Sequence, residues 1–173
     1  LPLRGKELEM LGEKLGSDVP FCARGGTALA EGRGEILTDL APLPDCSIVI
    51  CKPAFSISTA ALFKTLDGHG LRCHPDTDEL IRMLELGDLA RISRRMYNVF
   101  EEVLPHRCRE IFSIKNELLD FGALGCMMSG TGSAVFGLFD SRERAKNAYD
   151  WLRGKYRDCF LCSPTGKNFA PPD

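Results

Sequence analysis

The 173-residue chain is 44% hydrophobic and 27% charged, the balance of an ordinary globular protein, and size scaling lets such a chain bury roughly 70% of its unfolded surface. A net charge of −2 and a pI near 6.0 supply none of the Lys and Arg excess that nucleic acids or anionic membranes require. The longest apolar runs, such as Phe136–Phe139, are too short to span a bilayer, so neither a nucleic-acid nor a membrane partner is expected.

The opening residues Leu1 to Lys6 lack the basic-then-apolar order of an export signal. The chain starts on Leu1 rather than Met and meets a helical pattern at once, which points to a piece of a longer protein. Eight cysteines without an export signal fit a reducing, cytoplasmic setting. Most of them sit in apolar stretches where a free thiol packs as a small hydrophobe. Cys159 and Cys162 have the spacing of a redox or zinc half-site, but no second ligand pair accompanies them.

Leu8, Leu11 and Leu15 fall at helical spacing, with Gly16 as the stop. Ser17 to Phe21 reads as a loop in which Pro20 prevents helix continuation. Thr27–Ala30 and Glu35–Leu40 form a strand pair around Gly32-Arg33-Gly34, and Ser47–Cys51 is a further strand. Ser58 or Thr59 caps a helix reaching about Leu66, and Asp67–Pro75 is a surface loop. Helical stripes follow at Leu80, Ile81 and Leu84, then at Leu89, Ile92, Met96, Val99, Phe100 and Val103 with a break near Asn98, then at Ile111, Ile114, Leu118 and Phe121. Ala123–Met128 and Ser133–Phe139 are strands joined by Ser129–Gly132. A helix carrying Ala145, Ala148, Tyr149 and Leu152 precedes a last strand at Asp158–Ser163 and a frayed tail at Asn168–Asp173.

From Ser47 onward this order is the β-α-β-β-α-β plan of a ferredoxin-like α+β sandwich with extra helices in its first crossover. Pro42 and Pro44 punctuate the chain before the Ser47–Cys51 strand, so a boundary falls at Ala41–Pro44 and residues 1–42 are expected to belong to one domain and 43–173 to another.

Three stretches could carry chemistry. In Gly16-Ser17-Asp18-Val19-Pro20, a carboxylate held on a tight loop can act as a general base, although an Asp that merely shapes a turn looks the same. Ser129-Gly130-Thr131-Gly132-Ser133 lies between two strands, where small residues and consecutive N–H groups can cradle an anion or simply form a hairpin. Lys52-Pro53, with Ser56, Ser58 and Thr59, sits at a strand end leading into a helix, a place that suits phosphate or ordinary capping. His69, His74 and His106 lack metal-ligand spacing.

Together the parts say more. Gly16-Ser17-Asp18-Val19-Pro20-Phe21, then Gly25-Gly26-Thr27-Ala28, Gly32-Arg33-Gly34-Glu35 and Lys52-Pro53 resemble the GHMP kinase superfamily in residue and order. Met127 to Phe136 resembles its C-terminal glycine motif, and Met96 to Glu101 is similar to the helix that precedes that motif. Within the superfamily the run is most like the kinases of the non-mevalonate isoprenoid pathway. The resemblance implies a two-domain enzyme using ATP and Mg2+ to phosphorylate a small-molecule alcohol in the cleft between its domains. Asp18 would take the hydroxyl proton, Ser129, Gly130, Thr131 and Gly132 would lie beside the phosphates, and Thr59 would border the substrate. A first-domain catalytic lysine and a Gly/Ser-rich ATP loop, which the resemblance also implies, have no counterpart in this sequence. Residues 1–42 would then be the end of the first domain, the N-terminal half would be missing, and the chain alone would be inactive. Ferredoxin-like sandwiches also serve as non-catalytic ligand-sensing or interaction modules, which is the alternative reading.

Overall fold

The computed structural model describes residues 6–69 and 73–166. The expected tail at Asn168–Asp173 lies outside the described residues, as do residues 70–72 of the expected Asp67–Pro75 loop. The chain divides into two compact units, the larger running from Pro44 to Pro164 and the smaller containing the described residues before it.

In the smaller unit, helices α1 (Lys6–Glu13) and α2 (Val19–Arg24) pack together beside an antiparallel hairpin, β1 (Ala28–Glu31) and β2 (Ile36–Asp39). Two details differ from the sequence reading. The segment after Asp18 is a helix, because Pro20 falls in its first turn, where the missing N–H would be unpaired anyway. Helix α1 ends at Glu13, before the expected stop at Gly16, and Leu8, Leu11 and Leu15 are exposed. Arg24 joins the pieces: it pairs with Glu9 at 2.6 Å and donates to the Leu37 carbonyl at 2.8 Å.

The larger unit is built on β3 (Ser47–Lys52), β4 (Gly125–Met128), β5 (Val135–Phe139) and β6 (Asp158–Cys162), one antiparallel sheet in the order β4-β5-β3-β6. This is the expected ferredoxin-like sandwich. Between β3 and β4 lie α3 (Thr59–His69), α4 (Thr77–Glu85), α5 (Leu89–Arg95), 3-10 turns at Val99–Val103 and His106–Cys108, and α6 (Arg109–Asp120). Helix α7 (Arg142–Arg153) joins β5 to β6.

Alternation along β3 sends Val49 and Cys51 to one face, and both are fully buried. Ile111, Ile114 and Leu118 of α6 and Ala145, Ala148 and Leu152 of α7 complete that core, each with no exposed surface. Burying each Ile or Leu side chain contributes about 1.5–3 kcal/mol. Side chains set several helix starts: Asp76 accepts from the Glu79 N–H, Asp88 from Arg91 and Ser141 from Arg144.

The structure corrects several expectations here. Helix α3 continues to His69, and Met83, rather than its neighbours, is the buried residue of α4. The expected break near Asn98 in the Leu89–Val103 stripe is present: the chain turns extended at Met96 and Asn98 before a 3-10 turn. Strand β4 begins at Gly125, two residues later than expected. Cys22 and Cys73 are exposed, whereas Cys51, Cys108 and Cys159 are buried.

Gly125 is where β4 meets α5 most closely. A Cβ there would lie 2.3 Å from the Ser93 carbonyl oxygen. Gly125→Ala must push the helix from the strand, and a loss of about 1–3 kcal/mol is expected in chemical denaturation; a change below about 0.5 kcal/mol would show that the approach is not tight. Cys126 yields a second prediction. Burial pushes its thiol from 9.0 up to about 11, so the fold favours the neutral form. The resulting stability is fully present below pH 9 and lost as pH rises through 11. Cys126→Ala should therefore flatten the fall of unfolding free energy across that window; an unchanged slope would contradict it.

Candidate functional site

Asp18 lies in the smaller unit, between the turn that ends α1 and the first residue of α2. The Gly16 carbonyl accepts from the Val19 N–H at 3.2 Å, and the Asp18 carbonyl accepts from Cys22 at 3.1 Å, so the main chain on both sides is held. The carboxylate is exposed and makes no capping hydrogen bond. Behind it runs the β1–β2 turn. Gly34 adopts φ +111°, and a Cβ there would lie 3.4 Å from the Ser17 carbonyl oxygen and 3.7 Å from Asp18 Oδ1. Only glycine allows both the backbone angle and an open approach to the carboxylate. A cleft of about 170 Å3 lined by Glu13, Lys14, Gly16, Ser17, Arg33 and Glu35 adjoins this loop. The Glu35 carboxyl is held below its ordinary value by its own backbone N–H and that of Arg33.

The remaining expected residues come together in the larger unit. Ser129–Gly132 is a four-residue turn closed by the Gly132 N–H donating to the Ser129 carbonyl at 2.9 Å, and the Ser129 N–H donates to Ala134 at 2.8 Å. Gly130 at φ +53° occupies the first central position, the requirement of a hairpin turn that follows the sheet twist. The N–H groups of Gly130 and Thr131, the two central residues, meet no acceptor among the described residues. Thr59, the first residue of α3, places its hydroxyl 3.0 Å from that of Thr131, so two elements 72 residues apart meet at the turn. Gly132, at φ +84°, leaves no room for a side chain: a Cβ would stand 2.6 Å from Met128 Sδ.

Three residues hold this turn: Asn98 and Glu101, which the sequence reading did not name as site residues, and Ser133, the end of the Ser129–Ser133 stretch. Asn98 donates through Nδ2 to the carbonyls of Met128 and Gly130, each at 2.8 Å, and accepts from the Phe100 N–H at 2.9 Å. Glu101 accepts from the Met128 N–H at 2.7 Å and forms an ion pair with Lys115. Ser133, buried, donates to the Phe55 carbonyl at 2.7 Å. The available signal was the Asn98-x-x-Glu101 spacing just after a helical stripe, which reads locally as a helix break. Among the described residues, no three His, Cys, Asp or Glu side chains converge into a group that could hold a metal ion, and no helix is long and apolar enough to cross a membrane.

Comparison with known proteins fits this geometry. Residues 73–158 match the family described as GHMP kinases C terminal. A Clostridium kluyveri protein named 4-diphosphocytidyl-2-C-methyl-D-erythritol kinase is 42% identical over 159 residues, covering 92% of this chain and 57% of that protein. Proteins of the same name from Alkaliphilus metalliredigens and Clostridium botulinum are 44% and 45% identical, with 93% and 90% of this chain and 55% of each protein covered. The chain thus spans little more than half the length of these curated relatives. A crystal structure of 4-(cytidine 5'-diphospho)-2C-methyl-D-erythritol kinase superposes with a TM-score of 0.75 at 28% identity, over 92% of this chain and 57% of that one. A crystal structure of L. major mevalonate kinase, at 20% identity and a TM-score of 0.72 over 95% of this chain and 60% of its own, shares the fold. The sandwich, the ordered motifs and these likenesses lead to one assignment: the chain belongs to the GHMP kinase family.

Proposed function

We propose that this chain is the C-terminal portion of an ATP-dependent 4-diphosphocytidyl-2-C-methyl-D-erythritol kinase, acting on the 2-hydroxyl of its substrate in the non-mevalonate route to isoprenoids. The domain assignment belongs to the same proposal. Residues 1–42 are the end of the N-terminal kinase domain and 43–173 the C-terminal domain. The exposure of Leu8, Met10, Leu11, Leu15 and Ile36 in the smaller unit supports this, because so many exposed large apolar side chains suit the edge of a larger core.

The observation that carries the reading is that the chain holds both an uncommitted carboxylate at Asp18, in the smaller unit, and a pinned glycine turn with free central N–H groups, in the larger. Phosphoryl transfer asks a protein mainly for placement and charge stabilisation. Asp18 orients the acceptor hydroxyl and takes its proton at an Oδ as the γ-phosphate arrives. The N–H groups of Gly130 and Thr131 face phosphate oxygens, an anion-binding use of exposed turn amides. The Thr59 and Thr131 hydroxyls, already 3.0 Å apart, offer further donors on the substrate side. ATP supplies the phosphoryl group. The described residues do not form a dedicated cage for Mg2+; in nucleotide sites that ion is held largely by phosphate oxygens and water.

Asp18→Asn keeps the size of the side chain and removes its ability to accept a proton. In the full-length protein kcat should fall by about 10²–10⁴-fold with substrate KM little changed and the melting temperature preserved. Near-normal turnover with an intact fold would remove Asp18 from the mechanism. The 173-residue chain by itself, without an ATP loop in its sequence, should transfer no phosphate; turnover of ATP with the substrate by the isolated chain would contradict that.

A further inference from the structure

Strand β4 is one of the two outer strands of the sheet, paired on one side with β5 alone. The groups on its other side have no strand to meet, and buried main-chain groups without partners are costly. At Met128, whose side chain is fully buried, both outward groups are met by side chains of the 96–101 segment. The N–H donates to Glu101 and the carbonyl accepts from Asn98. Asn98 then reaches two residues further to the Gly130 carbonyl, inside the turn. Its Oδ1 is occupied by the Phe100 N–H, so the carboxamide orientation follows from its three partners. The Glu101–Lys115 ion pair fixes the other support: the two side chains are 15% and 19% exposed, and Lys115 stands on α6, a core helix.

We infer that Asn98 and Glu101 are positioning residues for the glycine turn, holding Met128 to Gly130 so that the Gly130 and Thr131 N–H groups stay aimed at a phosphate. The inference rests on the phosphate-cradle reading of that turn. A turn held at both carbonyls needs no reordering when an anion arrives, and preorganised donors stabilise developing charge better than mobile ones. Neither residue touches the reacting atoms; each acts through main-chain groups.

A merely local role for Asn98 is capping the Val99–Val103 turn. Asn98→Asp separates the two roles, since aspartate still accepts from Phe100 but cannot donate to Met128 or Gly130. In the full-length protein, amide exchange at Ser129 and Gly132, whose N–H groups donate within the turn, should rise about tenfold or more, while Val49 and Ile50 in the sheet interior keep their protection. KM for ATP should rise by a similar factor with KM for the alcohol substrate unchanged. Where Asn98→Asp does not fold, Asn98→Ser, which caps through its hydroxyl and cannot bridge both carbonyls, gives the same readout. Unaltered exchange at Ser129 and Gly132 in a folded variant overturns the inference. The exchange measurement needs no turnover, so a wild-type protein that fails to phosphorylate the substrate overturns the kinase reading separately.

Discussion

Strand β3 is hydrogen-bonded to β5 on one side and β6 on the other, and the larger unit depends on that placement. Val49 faces Gly137 on one side and Leu161 on the other, while Cys51 faces Val135 and Cys159. Side-chain alternation makes a shift of one residue impossible without turning Val49 and Cys51 away from α6 and α7. The register of β3 therefore sets the heights of both β5 and β6. Once β5 is set, the pairing of Val135 with Met128 sets β4, and with it the position of the turn between them.

The turn is thus the far end of a chain of constraints that starts in the core. Core packing alone would leave its carbonyls free to rotate. Side chains from separate segments remove that freedom: Asn98 from the outer edge, Ser133 through the Phe55 carbonyl, and Thr59 from the start of α3. Each of these polar contacts is worth little net free energy, about 1 kcal/mol, yet together they specify one geometry. The smaller unit follows a similar logic with different parts. There the Arg24–Glu9 pair and the Gly34 approach hold the Asp18 loop, while the carboxylate itself stays unengaged.

Periodicity reported the core faithfully where one face meets one sheet. Ile111, Ile114 and Leu118, read as a stripe, are all fully buried on the sheet. It misled where burial comes from elsewhere. Leu8, Leu11 and Leu15 have helical spacing but stay exposed among the described residues; the break near Asn98 was legible, but not that Asn98 serves a turn some 30 residues away. No local pattern could show that partnership. Pro20 was read as a barrier when it stands in a first helical turn. The candidate site was legible in part: Ser129–Gly132 and Thr59 were visible as short motifs, whereas their meeting through Thr131 and the supports at Asn98, Glu101 and Ser133 are products of tertiary structure.

The central claim is that the turn between β4 and β5 is a rigid cradle for phosphate. Titration of the isotopically labelled full-length protein with a non-hydrolysable ATP analogue, followed by amide NMR, tests it most directly. The account predicts saturable shifts largest at Gly130 and Thr131, with the β3 amides unmoved. Saturating nucleotide binding that leaves the amides of Gly130 and Thr131 unshifted would contradict it.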